Sequence, residues 1–291
     1  MPVVSVIIPT CNRPESLKVA IKSVLVQTFG DLELIVVNDC GENDLGALIS
    51  GMNDNRIKYL AHETNRGPSA ARNTGIKAAR GKYIACLDDD DIYYPGHLQT
   101  LVDFLETSEY KIAYADTFRT LQVLEKGACV AKRKDLFSFD YDPDRILIDN
   151  LMPPVCLLYE KSILEETGLF DESIRFGEDW DFCIRMSLKY PFGHVREVTS
   201  EYRWRLDGSN ATSSGQMGFV EARERIYKKY ESVAAGRPGI LEMQRKTLRS
   251  ERRQAEKGNW AKKEKLKVYV IKIIGLRGLD ILYRLKLKLL G

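Results

Sequence analysis

Four consecutive carboxylates, Asp88, Asp89, Asp90 and Asp91, are the first feature of this 291-residue chain that could do chemistry. Adjacent carboxylates repel and raise one another's pKa unless a cation is near. Oxygen-only donors select hard cations such as Mg²⁺ or Mn²⁺, and magnesium-type sites combine one or two carboxylates with substrate phosphates. The bland alternative is a solvated acidic turn, or caps for a helix opening at Pro95. A further carboxylate, Asp39, follows the apolar run Leu34 to Val37. There it could accept hydrogen bonds from a nucleobase or ribose, or simply close an Asx turn. A third group is Glu178-Asp179-Trp180-Asp181. Acidic residues at a helix start suit its dipole. One of them, with Trp180 shielding a face, could instead take a proton from an incoming hydroxyl as general base. Neither a Walker A loop nor G-x-G-x-x-G follows the first apolar run, so phosphates are not cradled in those ways. A metal at the Asp run would have to neutralise them.

The elements that must position these residues alternate in period. Val3 to Ile8 is a β-branched run broken only by Ser5, the mark of a strand buried on both faces. Pro14 opens a helix with Leu17, Ala20, Ile21, Val24 and Leu25 on one face. Strands at Leu32 to Val37, Ile57 to Ala61 and Tyr83 to Leu87 interleave with helices at Asp44 to Ser50, Ser69 to Ala79 and Pro95 to Ser108. This alternation implies a parallel sheet with helices on both faces, whose ligands bind beyond the strands' carboxyl ends. Thr10-Cys11-Asn12-Arg13, Asn38-Asp39 and the Asp run all fall at such ends, so they should share one crevice. The middle of the chain reads differently. It shows strands at 113–114, 117–124 and 128–132 with a hairpin turn at Glu125-Lys126-Gly127, then a strand at Val155 to Tyr159. Helices at Lys161 to Thr167 and Trp180 to Lys189 and a strand at Val198 to Arg205 follow. After Gly215 the pattern is wholly helical. Gly236-Arg237-Pro238-Gly239 interrupts it and sets a boundary: residues 1–236 form a catalytic domain, with halves 1–110 and 111–236, and residues 237–291 a basic helical extension.

Composition bounds the rest. Apolar residues make up 44% and charged residues 29%, ordinary for a globular protein, and the net charge is +3. Residues 245–291 carry 15 basic and 4 acidic side chains, so an acidic body with net charge −8 precedes a tail of +11. The acidic body, with no recognised motif among its basic residues, argues against a nucleic-acid partner. Six cysteines without a C-x-x-C pair suggest neither zinc nor a disulfide framework, and fit a reducing compartment. With no signal-peptide pattern and no run of 18 apolar residues, the expected location is the cytoplasm. In the tail, Leu266 to Leu290 interleaves aliphatic residues with lysines and arginines. That is either a helix packed on the catalytic domain or a second subunit, as in a homodimer, or a helix lying on the anionic inner face of the cell membrane.

These motifs together resemble a family-2 glycosyltransferase with the GT-A fold. The resemblance runs from Val4-Ser5-Val6-Ile7-Ile8-Pro9-Thr10 through Val36-Val37-Asn38-Asp39, Asn65-Arg66-Gly67-Pro68-Ser69-Ala70-Ala71-Arg72-Asn73 and Leu87-Asp88-Asp89-Asp90-Asp91. It ends with Gly168-Leu169-Phe170-Asp171-Glu172 and Gly177-Glu178-Asp179-Trp180-Asp181. It covers roughly residues 3 to 205 in order and leaves out the tail. It implies an α/β, Rossmann-like, mostly parallel sheet, and inverting transfer of a sugar from a UDP-, dTDP- or GDP-sugar to a hydroxyl of a carbohydrate or lipid-linked acceptor, in polysaccharide, lipopolysaccharide or glycoconjugate synthesis. By position, Thr10 and Asp39 match residues that hold the nucleoside, with Asn12, Arg13, Arg72 and Asp89 in or beside the same motifs completing the donor set. Asp88 and Asp90 match the D-x-D motif for Mn²⁺ or Mg²⁺, and Asp179 matches the base. Two departures stand out: Asn38 replaces the first of two adjacent acids, and no His follows the strand after the base helix. There Tyr202-Arg203-Trp204-Arg205-Leu206-Asp207 leaves a third metal ligand open and offers Arg203 or Arg205 to the diphosphate. Two other readings compete. A sugar-1-phosphate nucleotidylyltransferase would need a glycine-rich first loop, absent from Pro9 to Pro14. A non-catalytic sugar- or membrane-binding scaffold would have no need of both Asp clusters.

Overall fold

The protein's computed structural model describes residues 1–40, 45–125, 128–205 and 216–256. Strands β1 (Val4–Thr10), β2 (Leu32–Asn38), β3 (Ile57–Ala61) and β4 (Tyr83–Cys86) pair parallel in the order β3-β2-β1-β4. Every residue of β1 and β2 is buried, as two-sided helix cover demands. Helices α1 (Pro14–Leu25), α2 (Leu45–Ser50) and α4 (His97–Glu106) cover one face, and α3 (Pro68–Ala78) the other. Proline opens both α1 and α3, where its missing N–H would have had no helical partner.

Beyond β4 the sheet changes character. It continues through β8 (Leu157–Glu160), β6 (Ile112–Glu125), β9 (Gly193–Arg205) and β5 (Ile92–Tyr93), with β7 (Ala128–Phe137) beside β6. Here β6 and β9 run parallel while the other ladders are antiparallel, so the nine-stranded sheet is mixed. Between β7 and β8 lies α5 (Pro143–Ile146), and α6 (Leu164–Thr167) and α7 (Glu178–Ser187) precede β9. The helices α8 (Gln216–Lys229), α9 (Glu231–Ala235) and α10 (Ile240–Glu256) end the described chain.

Several boundaries differ from the sequence expectation, among them β7, which runs to Phe137 rather than 132, and β8, which starts at Leu157 rather than Val155; three others have a visible cause. The strands expected at 113–114 and 117–124 are one strand, and β9 starts at Gly193 rather than Val198. The cause is a register shift of β6 against β9 around Ala115, Asp116 and Thr117, which breaks the two-residue period on both strands. Helix α4 starts at His97 rather than Pro95, because Ile92 and Tyr93 pair with β9 and the Pro95 carbonyl accepts from Thr28 N–H. Three expectations, the turn at 126–127, the opening Asp44 of the second helix and the amphipathic tail at 266–290, lie outside the described residues.

Gly236 to Gly239 separates α9 from α10, yet α10 packs back on the body. Ile240 shares a buried cluster with Trp180, Ile184 and Tyr227. Among the described residues no helix is long and apolar enough to cross a membrane, and Cys11, Cys40, Cys86, Cys156 and Cys183 are free thiols.

Candidate active site

At the carboxyl ends of the parallel strands lies a cleft of about 510 Å³, a volume typical of small-molecule sites. Its first wall depends on how closely α3 lies against β1. A Cβ on Gly75 would sit 2.5 Å from Cγ2 of the fully buried Ile7, so only glycine permits this approach. The seat carries Arg72 into the cleft wall at 3% exposure. The loop entering α3 is fixed by Asp39. Its Oδ1 accepts from His62 Nδ1 at 2.8 Å and Arg66 N–H at 2.9 Å, and its Oδ2 from Gly67 N–H at 2.7 Å. Gly67 meets this bond at φ 89°, a left-handed conformation that favours glycine.

The acidic run after β4 is neutralised by cations, as four adjacent carboxylates require. Arg13 NH1 reaches Asp89 Oδ1 and Asp90 Oδ2, each at 3.0 Å. Thr10 Oγ1 donates to Asp89 Oδ2 at 2.7 Å. Arg72 NH2 holds Asp88 Oδ1 at 2.6 Å. Asp91 is 1% exposed, accepts Arg203 N–H at 2.7 Å, and does not line the cleft. Burial first, then Asp90 and Asp88, drives its pKa well above the carboxylate range. Burial also raises Asp89, against the pull of Arg13. Asp88 and Asp90 remain beside one another on the cleft. Two all-oxygen donors suit a hard divalent cation whose other ligands come from a bound diphosphate. Among the described residues no group of three or more His, Cys, Asp or Glu could hold an ion alone.

The opposite wall is the first turn of α7, entered through Gly177 at φ 80°. Its three acids point three ways. Glu178 Oε1 receives the other end of Arg72, NH1 at 2.8 Å, so one buried guanidinium spans the acidic loop and the acidic helix. Asp181 is fully buried and accepts from Arg185, Lys229 and Tyr230 at 2.9, 2.7 and 2.7 Å, away from the cleft. Asp179 lines the cleft half-buried, with Oδ2 accepting from Asn150 Nδ2 at 2.8 Å and Oδ1 from Trp180 N–H at 2.8 Å. Burial raises its pKa above the ordinary aspartate value, with the Asn150 bond opposing. Trp180 does not shield it. The indole is 4% exposed in the core behind α7, and Nε1 donates to the Ile146 carbonyl at 2.5 Å. The expectation of a shielding indole is corrected by helix geometry, which turns neighbouring side chains about 100° apart.

The cleft thus unites Thr10, Arg13, Asp39, Arg72, Asp88, Asp89, Asp90 and Asp179. Asn12 is not among its lining residues; it is exposed at φ 56°, turning the chain from β1 toward α1. Arg203 lines the cleft, and its Nε pairs with Glu201 at 3.2 Å. The Arg205 side chain and the stretch 206–215, where a third metal ligand was left open, lie outside the described residues. Sequence reasoning missed Asn150, Arg119, Arg175, Phe137, Tyr202 and Trp204, all on the cleft. Arg119 sits 5.7 Å from the Trp204 ring. The alternation of Tyr202 and Trp204 along one strand face was the available signal for the aromatics. Asn150 had none.

Comparison with known proteins follows this geometry. The model of the family described as glycosyl transferase family 2 matches residues 5–167. An uncharacterized glycosyltransferase of Rickettsia conorii is 35% identical over 202 residues, covering 69% of this chain and 32% of its own. The chain therefore spans about a third of the length of that relative. The succinoglycan biosynthesis protein ExoO of Rhizobium meliloti is 29% identical over 243 residues, 76% of this chain and 68% of its own. Among solved structures, S. aureus TarS in complex with UDP-GlcNAc superposes with a TM-score of 0.60 at 23% identity, over 78% of this chain and 65% of the TarS chain. That likeness is one of fold.

Proposed function

The chain belongs to glycosyl transferase family 2, and from that premise we propose that its cleft moves a sugar from a nucleoside diphosphate to an acceptor hydroxyl with inversion at the transferred carbon. One observation carries the reading: Arg72 joins Asp88 to Glu178, so the acidic loop and the base-bearing helix face one another across a single cleft. Thr10, Asp39 and Arg13 occupy the strand ends where an α/β sheet receives a nucleotide. TarS, similar in fold, was solved with UDP-GlcNAc, which supports a uridine donor. ExoO, a relative named for succinoglycan biosynthesis, supports a carbohydrate or lipid-linked acceptor in polysaccharide assembly.

An acceptor hydroxyl is a weak nucleophile until its proton leaves. Asp179 takes that proton: it is the one α7 acid with a carboxylate directed at the cleft that is not spent on an arginine or lysine. Asn150 and the Trp180 N–H fix its plane. Its raised pKa makes it a stronger base than a solvated aspartate. Asp88 and Asp90 would hold the divalent cation, Mn²⁺ or Mg²⁺, which when bound supplies positive charge to the leaving diphosphate. Arg13 and Arg203 add fixed positive charge on the same side.

The test is a thermal-shift panel of UDP-, dTDP- and GDP-sugars with and without Mn²⁺, followed by nucleotide-release assays. Asp90→Ala should lose metal-dependent donor stabilisation. Asp179→Asn should keep donor affinity and lose turnover by a factor on the order of 10²–10⁴. Parent-like turnover in Asp179→Asn would remove the proposed base.

A further inference from the structure

Directly after α5, the chain makes a short irregular run, 147–150, that ends on Asn150 and its bond to Asp179. The carbonyls at a helix's carboxyl end have no partner within the helix. Here three in succession are taken by side chains from elsewhere. Ile146 O accepts from Trp180 on α7, and Leu147 O accepts from the buried Gln244 on α10 at 2.8 Å. Ile148 O accepts from two residues of α8, Arg223 NH1 at 2.5 Å and Tyr227 OH at 2.7 Å. Arg223 NH1 also reaches Asp149 Oδ1 at 3.0 Å, while its Nε pairs with Glu251 of α10 at 2.9 Å. The same α8 grips the other partner of the Asn150–Asp179 bond: Lys229, with Tyr230 just after it, binds Asp181, two residues along α7 from Asp179.

We propose that α8 is the positioning element of the base: through Arg223 and Tyr227 it sets the 147–150 run, and through Lys229 it sets α7, so that Asn150 meets Asp179. Arg223 and Tyr227 do not line the cleft; they reach Asp179 through the run ending on Asn150 and through Trp180, whose ring lies 5.1 Å from the Arg223 guanidinium carbon and 5.8 Å from the Tyr227 ring. The idea rests on Asp179 being the base, and it assigns a catalytic duty to helices that lie beyond the family-matched residues 5–167. A displacement of an ångström at a reacting group can lower a rate 10²-fold, so loosening this clamp should slow turnover while donor binding, built on β1, β2 and α3, stays intact.

The experiment uses the full chain and three variants. Tyr227→Phe deletes one hydroxyl and keeps the ring in the core; Arg223→Gln deletes the guanidinium; Asn150→Ala removes the final contact. Hydrogen exchange should rise about tenfold in peptides covering 147–152 in both α8 variants, and stay unchanged in β1 and α3. Binding of whichever of UDP, dTDP and GDP raises the parent's melting temperature most should stay within about twofold. Nucleotide release from the matching sugar donor should fall about tenfold in Arg223→Gln, and Arg223→Gln with Asn150→Ala together should lose clearly less than the product of the two single losses. Unchanged exchange at 147–152, multiplying losses in the double variant, or parallel loss of nucleotide affinity would overturn the positioning role. If Asp179→Asn turns over normally while exchange behaves as expected, the base assignment fails and the clamp remains as architecture.

Discussion

Replacing Arg72 by methionine tests the joint on which the site hangs. Methionine keeps an unbranched stem against Phe170, whose ring lies 5.3 Å from the guanidinium carbon. The substitution strands Glu178, 11% exposed at its side chain, and Asp88, 30% exposed. Removing one partner of a buried ion pair costs about 3–5 kcal/mol. Two features reduce this. Water can reach Asp88, and Arg72 Nε is itself buried without a partner, a penalty the variant removes. A loss of about 2–3 kcal/mol at pH 8 remains, or about 3–5 °C in melting temperature for a chain of this size. The sign with pH follows from Glu178. Burial already raises its pKa against the opposing pull of Arg72, and without Arg72 it rises further. Between the unfolded glutamate pKa of about 4.3 and the raised folded value, the folded state binds more protons, so stability falls as pH rises. The penalty of Arg72→Met should therefore be larger at pH 8 than at pH 5.5, which lies nearer the range in which the variant's Glu178 takes up its proton. Differential scanning fluorimetry of parent and variant at both pH values measures it. An equal drop at the two values, or a drop under about 2 °C at pH 8, would refute the bridging role.

Turnover should rise with pH through the Asp179 pKa, since the base must be ionised, and the limb should lie above the aspartate value of about 3.9; in Asn150→Ala a pH–rate profile should show it moved upward, because a bond that stabilises the anion is gone. Asp39→Asn sets an amide N–H₂ or a lost acceptor against His62, Arg66 and Gly67; it should cost about 1–3 kcal/mol in urea titrations and weaken nucleotide binding by calorimetry. Gly75→Ala drives a Cβ into Ile7 and should destabilise by about 1–3 kcal/mol despite better helix propensity, with nucleotide affinity falling as α3 shifts Arg72. Residues 245–291, with their +11 charge, are proposed to bring the protein to an anionic membrane face; liposome co-sedimentation should show salt-sensitive binding that is lost without them, whereas equal partitioning of both chains would leave packing or dimerisation as their role.

The parallel half was legible because β1 and β2 are largely apolar runs rich in Val and Ile and buried on both faces, and because Pro14 marks the start of α1. The placement of Asp39, Asp88, Asp90 and Asp179 on one cleft followed from the strand-end rule and the motif order. β6 and β9 were read too short because a register shift erased their period. Trp180 was misread because adjacency in sequence is not adjacency on a helix. Asp39 was read as a ligand-facing acid, but its carboxylate also organises the loop into α3, a role set by backbone N–H groups 27 and 28 residues away. Asn150 and its clamp left no trace, since carbonyl acceptors carry no residue identity and Arg223 lies 75 residues from Ile148.

The choice among the three α7 acids comes down to lone pairs. An ionised carboxylate offers about four acceptor positions. Asp181 has three taken by Arg185, Lys229 and Tyr230 in a site with no exposure, so it has no route to a substrate proton. Glu178 faces the cleft but is held by a buried guanidinium that favours its charged form and opposes proton uptake. Asp179 has one neutral amide on one oxygen and one backbone N–H on the other. Among the described residues no cation holds either oxygen in a direct pair; Arg72 opposes only from a distance, and burial raises the basicity. Neutral donors fix the plane of a carboxylate without discharging it, which is what a base must have. With Asp179 as the proposed base, the sequence Glu-Asp-Trp-Asp divides into a joint, a base, a core anchor and a helix clamp, each role set by which side of α7 the residue occupies.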